Sequence, residues 1–90
     1  MKKVRVTVSG KVQGVWFRAT TYEKALELGV KGYVRNLANG SVEFVATGGD
    51  TKVDELIQWA QHGPSLAHVT DIKVDVLEYD NEYRDFKIKY

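Results

Sequence analysis

The stretch Gly10-Lys11-Val12-Gln13-Gly14-Val15-Trp16-Phe17-Arg18 carries the residue types best suited to chemistry in this 90-residue chain. It reads as a loop joining a first strand to a first helix. Gly10 and Gly14 let the backbone turn tightly and approach a ligand. The helix start that follows has unsatisfied N–H groups and the positive end of a helix dipole. Successive N–H donors at such a turn form a nest for an anion. Arg18 adds a permanent cation whose planar fork matches phosphate oxygens. Together these describe a site for one phosphate. A glycine loop without a ligand, with its arginine facing solvent, fits the same pattern. An arginine in a first helical turn opposes the dipole, which weighs toward a ligand.

A second feature is Gly32-Tyr33-Val34-Arg35-Asn36-Leu37-Ala38-Asn39-Gly40. Asn36 shares the parity of Val34, which puts it on a packed face at a strand end. A buried amide there needs partners for its oxygen and its two N–H donors. The alternative is an asparagine that bonds the local backbone in a turn. Asn39 belongs to the hairpin turn and is assigned no chemistry.

The elements that must position these residues follow from periodicity. Val4, Val6 and Val8 alternate with Arg5 and Thr7 in a strand over Lys3 to Ser9. Arg18 to Leu28 reads as a helix with Ala19, Tyr22, Ala25 and Leu26 on one stripe, stopped by Gly29. Strands over Lys31 to Asn36 and Ser41 to Thr47 meet across Ala38-Asn39-Gly40, a strong hairpin signal. Thr51 with Asp54 resembles a capping box. Val53, Leu56, Ile57 and Ala60 make a second helical stripe, stopped at Gly63-Pro64. Val69 to Leu77 alternates again, with Ile72, Val74 and Val76 on one side. A last strand over Arg84 to Tyr90 alternates Phe86, Ile88 and Tyr90. The order β-α-β-β-α-β, with its last strand split, predicts an α+β ferredoxin-like sandwich. Its four- to five-stranded antiparallel sheet carries both helices on one face.

The chain has the length of a single domain, residues 1–90, with 43% hydrophobic residues to supply its core. There is no cysteine, which excludes disulfides, thiol nucleophiles and a Cys-x-x-Cys metal loop. Thirteen basic and 12 acidic residues give a net charge of +1, no argument for a nucleic-acid or membrane partner. Lys31-Gly32-Tyr33 starts like an RNA-binding signature but continues Val34-Arg35-Asn36, without further aromatics. No apolar run reaches membrane-span length, and Met1-Lys2-Lys3 leads into a strand pattern, so the expectation is a cytoplasmic monomer.

With these residues in view, the sequence strongly resembles the acylphosphatase family. The resemblance lies in Gly10-x-Val12-Gln13-Gly14-Val15-x-Phe17-Arg18 and in Gly32-Tyr33-Val34-x-Asn36-x-x-Asn39-Gly40-Ser41-Val42-Glu43. It runs through Ala25-x-x-Leu28-Gly29 to the closing Tyr79 and Phe86-x-Ile88-x-Tyr90. Asn39 stands where the family commonly has aspartate, and both suit the same turn. The resemblance implies a single acylphosphatase-like domain. It implies a hydrolase acting on acid anhydrides, which splits the carboxyl–phosphate anhydride of small acyl phosphates into carboxylate and inorganic phosphate. Inorganic phosphate is then both product and competing ligand. The family uses no metal and no organic cofactor. By the resemblance, Arg18 binds phosphate together with loop N–H groups of about Gln13, Gly14, Val15, Trp16, Phe17 and Arg18, and Asn36 holds the attacking water.

The residues fit that mechanism independently. A phosphoenzyme needs a Cys, Ser, His or Asp nucleophile. The loop proper has none, although Ser9 lies just before it, and no Asp-x-Asp pair is near. Direct attack by water remains, with the substrate's own phosphate oxygen as proton acceptor. The loop reads phosphate, and no separate pocket for the acyl part is legible, which fits broad specificity. A non-catalytic phosphate-binding module of the same fold is the second reading. Such domains also occur fused inside larger enzymes such as the hydrogenase maturation carbamoyltransferase. His62 and His68 flank the Gly63-Pro64 turn without a third metal ligand. Trp59 lies off its helix stripe as an exposed aromatic, Tyr22 belongs to the core, and Trp16 either shapes the substrate mouth or covers the core edge.

Overall fold

A computed structural model describes residues 1–90. The elements run β1 (Lys2–Lys11), α1 (Phe17–Leu28), β2 (Lys31–Asn36), β3 (Val42–Gly48), α2 (Asp50–Ala60), β4 (His68–Leu77) and β5 (Phe86–Lys89). They form a five-stranded sheet in the order β4-β1-β3-β2-β5, with both helices on one face. Val4, Val6 and Val8 of β1 lie opposite Ala46, Phe44 and Val42 of β3, and all six are fully buried beneath the helices. No helix is long and apolar enough to cross a membrane.

The sheet is mixed rather than wholly antiparallel. β5 runs parallel to β2, with Gly32 opposite Phe86 and Arg35 opposite Lys89. The cause is the β4–β5 connection, which crosses the helix-free face from one sheet edge to the other. Lys3 pins it there, its ammonium donating to Asp80 at 3.0 Å and Glu82 at 3.2 Å. Those contacts hold the Asp80 carboxyl below its ordinary pKa and raise that of Lys3.

Several local expectations change. β1 does not end at Ser9: a register shift between Ser9 and Gly10 lets it continue along β4 to Lys11. The buried row of α1 is Phe17, Thr21 and Ala25, not the Ala19-Tyr22-Ala25-Leu26 stripe. Leu26 is 53% exposed, whereas Thr21 is fully buried and donates its hydroxyl to the Phe17 carbonyl at 2.7 Å. A buried threonine satisfied within its own helix is invisible to hydropathy. The Thr51–Asp54 capping box does not form. α2 starts at Asp50 behind Gly49 without a side-chain cap, and Asp54 instead accepts from Lys2 at 2.7 Å. In the hairpin, positive φ falls on Gly40 (94°) and not on Asn39. The amide of Gly40 bonds the Leu37 carbonyl, so the turn is a three-residue loop closed by a left-handed glycine. Asn39 plays its expected turn role, its side-chain oxygen accepting from the Ser41 amide at 3.0 Å. Neither helix packs on β4, which leaves Val74 and Val76 exposed on the sheet's apolar side.

The α1 assignment is checked by urea unfolding. Leu26→Ala will cost under about 0.5 kcal/mol, and Phe44→Ala, fully buried on β3, about 3–5 kcal/mol.

Candidate active site

The segment between β1 and α1 is anchored by three apolar side chains. Val12, Val15 and Phe17 are buried in the core. The Phe17 ring packs on Trp59 of α2 with centroids 5.4 Å apart, so Trp59 is a half-buried prop rather than an isolated surface aromatic. Between the anchors the backbone turns outward. Gly14 has φ 74° and Trp16 has φ 68°, with Val15 between them at negative φ. Alternating handedness of this kind makes a nest of N–H groups. The amides of Gln13, Gly14, Val15 and Trp16 donate to no other backbone or side-chain group of the protein. The helix N-terminus at Phe17 adjoins them. Trp16 is the one non-glycine residue at positive φ. A left-handed bulky residue costs of order 1–3 kcal/mol. Its carbonyl is held by both the amide and the hydroxyl of Thr20, at 2.9 and 2.8 Å.

Gln13 ties this loop to the β2–β3 hairpin. Its side-chain amide donates to the carbonyls of Leu37 at 2.7 Å and Ser41 at 2.9 Å. Ser9 and Ser41 add a hydroxyl–hydroxyl contact of 2.9 Å beside it. The side chain of Gln13 is thus committed to the protein, which leaves only its backbone N–H for an anion.

The loop, α1, β2 and β5 border an open cavity of about 360 Å³. Among its lining residues are Gly14, Trp16, Phe17, Arg18 and Asn36, five of the seven residues assigned from sequence. Gln13 and Val15 do not line it, because their side chains point to the hairpin and the core. Arg18 lies in the first turn of α1 with its guanidinium 4.5 Å from the centre of the Tyr90 ring. None of the protein's ion pairs involves Arg18. No carboxylate or imidazole side chain lines the cavity, so no side chain there neutralises the arginine.

Asn36 is exposed, not packed as its parity with Val34 suggests. The residue shares the helix side of the sheet with Val34, but β2 runs past the end of the helical layer at that point. Its amide makes no hydrogen bond within the protein, neither to the turn nor to another side chain, and it opens into the cavity beside Arg18. Ile88 and Tyr90 complete the lining. Sequence reasoning did not place them at the site. Their alternation with Phe86 was visible, but only the parallel pairing of β5 with β2 brings that end of the chain to Asn36. The open sheet face holds a separate group, in which Glu43 accepts from Tyr33 and Arg35, both at 2.8 Å. Burial, then Glu43, pushes the Tyr33 phenol up to about 12.

The nest makes a direct prediction. A Cβ at Gly14 meets nothing within 4 Å, so only its φ of 74° opposes substitution. Gly14→Ala will cost about 1–2 kcal/mol in thermal or urea unfolding and weaken protection of the fold by inorganic phosphate.

The chain is similar to known proteins along nearly its whole length. The family model described as Acylphosphatase matches residues 4–88. An acylphosphatase of Methylococcus capsulatus is 48% identical over 98% of this chain and 96% of its own length. The crystal structure of acylphosphatase from Bacillus subtilis superposes over 100% of both chains with a TM-score of 0.95 at 31% identity. Full-length HypF, in its phosphate- and nucleotide-bound form, matches 99% of this chain with a TM-score of 0.87 at 27% identity, the match covering 12% of HypF. With the family model spanning nearly every element and the fold superposing end to end, this chain belongs to the acylphosphatase family.

Proposed function

We propose that the chain hydrolyses acyl phosphates, with Arg18 and the Gln13–Arg18 backbone binding the phosphate and Asn36 holding the water that attacks it. The observation that carries this reading is one unpaired guanidinium and one unbonded amide on a single cavity, bordered by a loop whose N–H groups have no partner in the protein. The relatives that bear the acylphosphatase name extend along almost the whole chain.

The chemistry asks little beyond placement. The water oxygen forms a bond to phosphorus, the phosphorus–oxygen bond to the acyl group breaks, and the carboxylate leaves with the electron pair. Arg18 and the loop amides offset charge on the phosphoryl oxygens, as preorganised donors do. Asn36 can accept from the water through its carbonyl oxygen and donate to the substrate through its amide. The carboxylate is a good leaving group, so no general acid is needed. Apart from the Tyr90 phenol, the side chains lining the cavity include no carboxylate, imidazole, thiol or hydroxyl, so the common bases and nucleophiles of phosphoryl chemistry are missing from its wall. A phosphate oxygen of the substrate takes the water's proton. Phosphoryl transfer relies mainly on positioning and electrostatics, so this set is sufficient. The reading includes no metal or organic cofactor. Inorganic phosphate, the product, competes for the same nest.

Steady-state hydrolysis of benzoyl phosphate in excess EDTA tests the assignment. Turnover will survive chelation. Arg18→Ala will lower kcat/KM by at least about 10²–10³-fold, and Arg18→Lys nearly as far, because a point charge lacks the fork. Asn36→Ala will lower kcat by about 10²-fold with little change in KM. Binding of phosphate without turnover would reassign the chain to a phosphate-binding module.

A further inference from the structure

Only part of the cavity is explained by phosphate. A phosphate group occupies the volume of a few waters, each about 30 Å³, whereas the cavity measures about 360 Å³. The remaining wall is apolar and comes from Trp16, Ile88 and Tyr90, with Val12 and Ala19 behind them. Trp16 is 74% exposed and Tyr90 96% exposed, yet both stand at the mouth of the one cavity that holds Arg18.

Trp16 is the informative residue. Its backbone occupies the left-handed region, where glycine is the default. The loop's turn therefore asks for a small residue there, and the indole gains little burial within the protein to offset the strain. Val15 and Phe17 on either side are buried, so the indole is forced outward over the cavity. Strain kept at a cavity rim with an unburied aromatic points to a use in ligand binding. The Tyr90 ring adjoins the guanidinium of Arg18 at 4.5 Å. A group attached to phosphate on Arg18 would thus emerge between the two rings.

We infer that Trp16, Ile88 and Tyr90 form a subsite for the acyl group, and that the chain selects acyl phosphates with a flat, apolar acyl group over small ones. The inference rests on the hydrolase reading above and extends it from the phosphate to the other half of the substrate. It replaces broad specificity, the expectation from the loop alone. Arg18 is the one charged side chain in the cavity lining, so an acyl group carrying its own carboxylate gains nothing from this wall beyond the phosphate contacts.

The test compares kcat/KM for benzoyl phosphate and acetyl phosphate, each divided by its spontaneous hydrolysis rate. The wild-type ratio will favour benzoyl by at least about tenfold, the scale of discrimination a hydrophobic pocket supplies. Trp16→Ala and Ile88→Ala will each reduce that ratio several-fold, and Trp16→Phe will retain most of it. Circular dichroism and the inhibition constant of inorganic phosphate report separately on folding and on the nest. A ratio that is near unity in the wild type, or unchanged in Trp16→Ala, overturns the subsite while leaving the hydrolase reading standing. Absence of turnover on both substrates removes the hydrolase reading, and the subsite falls with it.

Discussion

The bond pair from the Gln13 side chain to the carbonyls of Leu37 and Ser41 is the constraint on which the site depends. Arg18 follows the loop after β1, and Asn36 ends β2. They are 18 positions apart in sequence and on different elements. Nothing local relates them. Gln13 spans from the loop to the hairpin next to Asn36 and sets their separation. Each such bond adds only about 0.5–1.5 kcal/mol to stability. Its larger effect is geometric, since misplacement of about 1 Å costs about 10²-fold in rate. Phe17 supplies the bulk of the anchoring, wedged against Trp59 and over Gly63, where any Cβ would strike its ring.

Topology brings the rest. β1, β2 and β5 run in the same direction, so their C-terminal ends meet at one pole of the sheet. The Val12–Trp16 loop leaves the first, Asn36 ends the second, and Ile88 in the third leads on to Tyr90. The third arrives only because the β4–β5 connection crosses the open face under the grip of Lys3. A surface ion pair of this kind is ordinarily worth little. Lys3 differs in being nearly buried and in bonding two carboxylates at once. The polar sheet face thus contributes to a site on the opposite pole of its strands without lining it.

Much of this was legible in the residues. The valine alternation of β1 and β3, the glycine stops and the Asn39-Gly40 turn specify the order of elements. The glycine loop and Arg18 mark the proposed anion site, because both carry local backbone and charge signatures. What hydropathy could not show is where tertiary packing overrides pattern. Thr21 is buried because its hydroxyl has a partner one turn back, and Leu26 is exposed because α1 turns that flank outward. Asn36 looks packed by parity, yet the helical layer stops short of it. Gln13 reads as a phosphate ligand through its backbone N–H, and only the folded hairpin shows that its side-chain amide is engaged elsewhere. The parallel pairing of β5 left no trace in its four residues, so Ile88 and Tyr90 stayed hidden as wall residues.

In the proposed reaction, water held by Asn36 attacks phosphorus while Arg18 and the loop amides grip the phosphoryl oxygens. Single-turnover hydrolysis of benzoyl phosphate in water enriched in heavy oxygen tests it most directly, read by the isotope shift in phosphorus NMR and by the mass of the benzoate. Attack at phosphorus will leave one heavy oxygen in the phosphate and none in the benzoate. Heavy oxygen in the benzoate would mean attack at the carbonyl carbon and would contradict it.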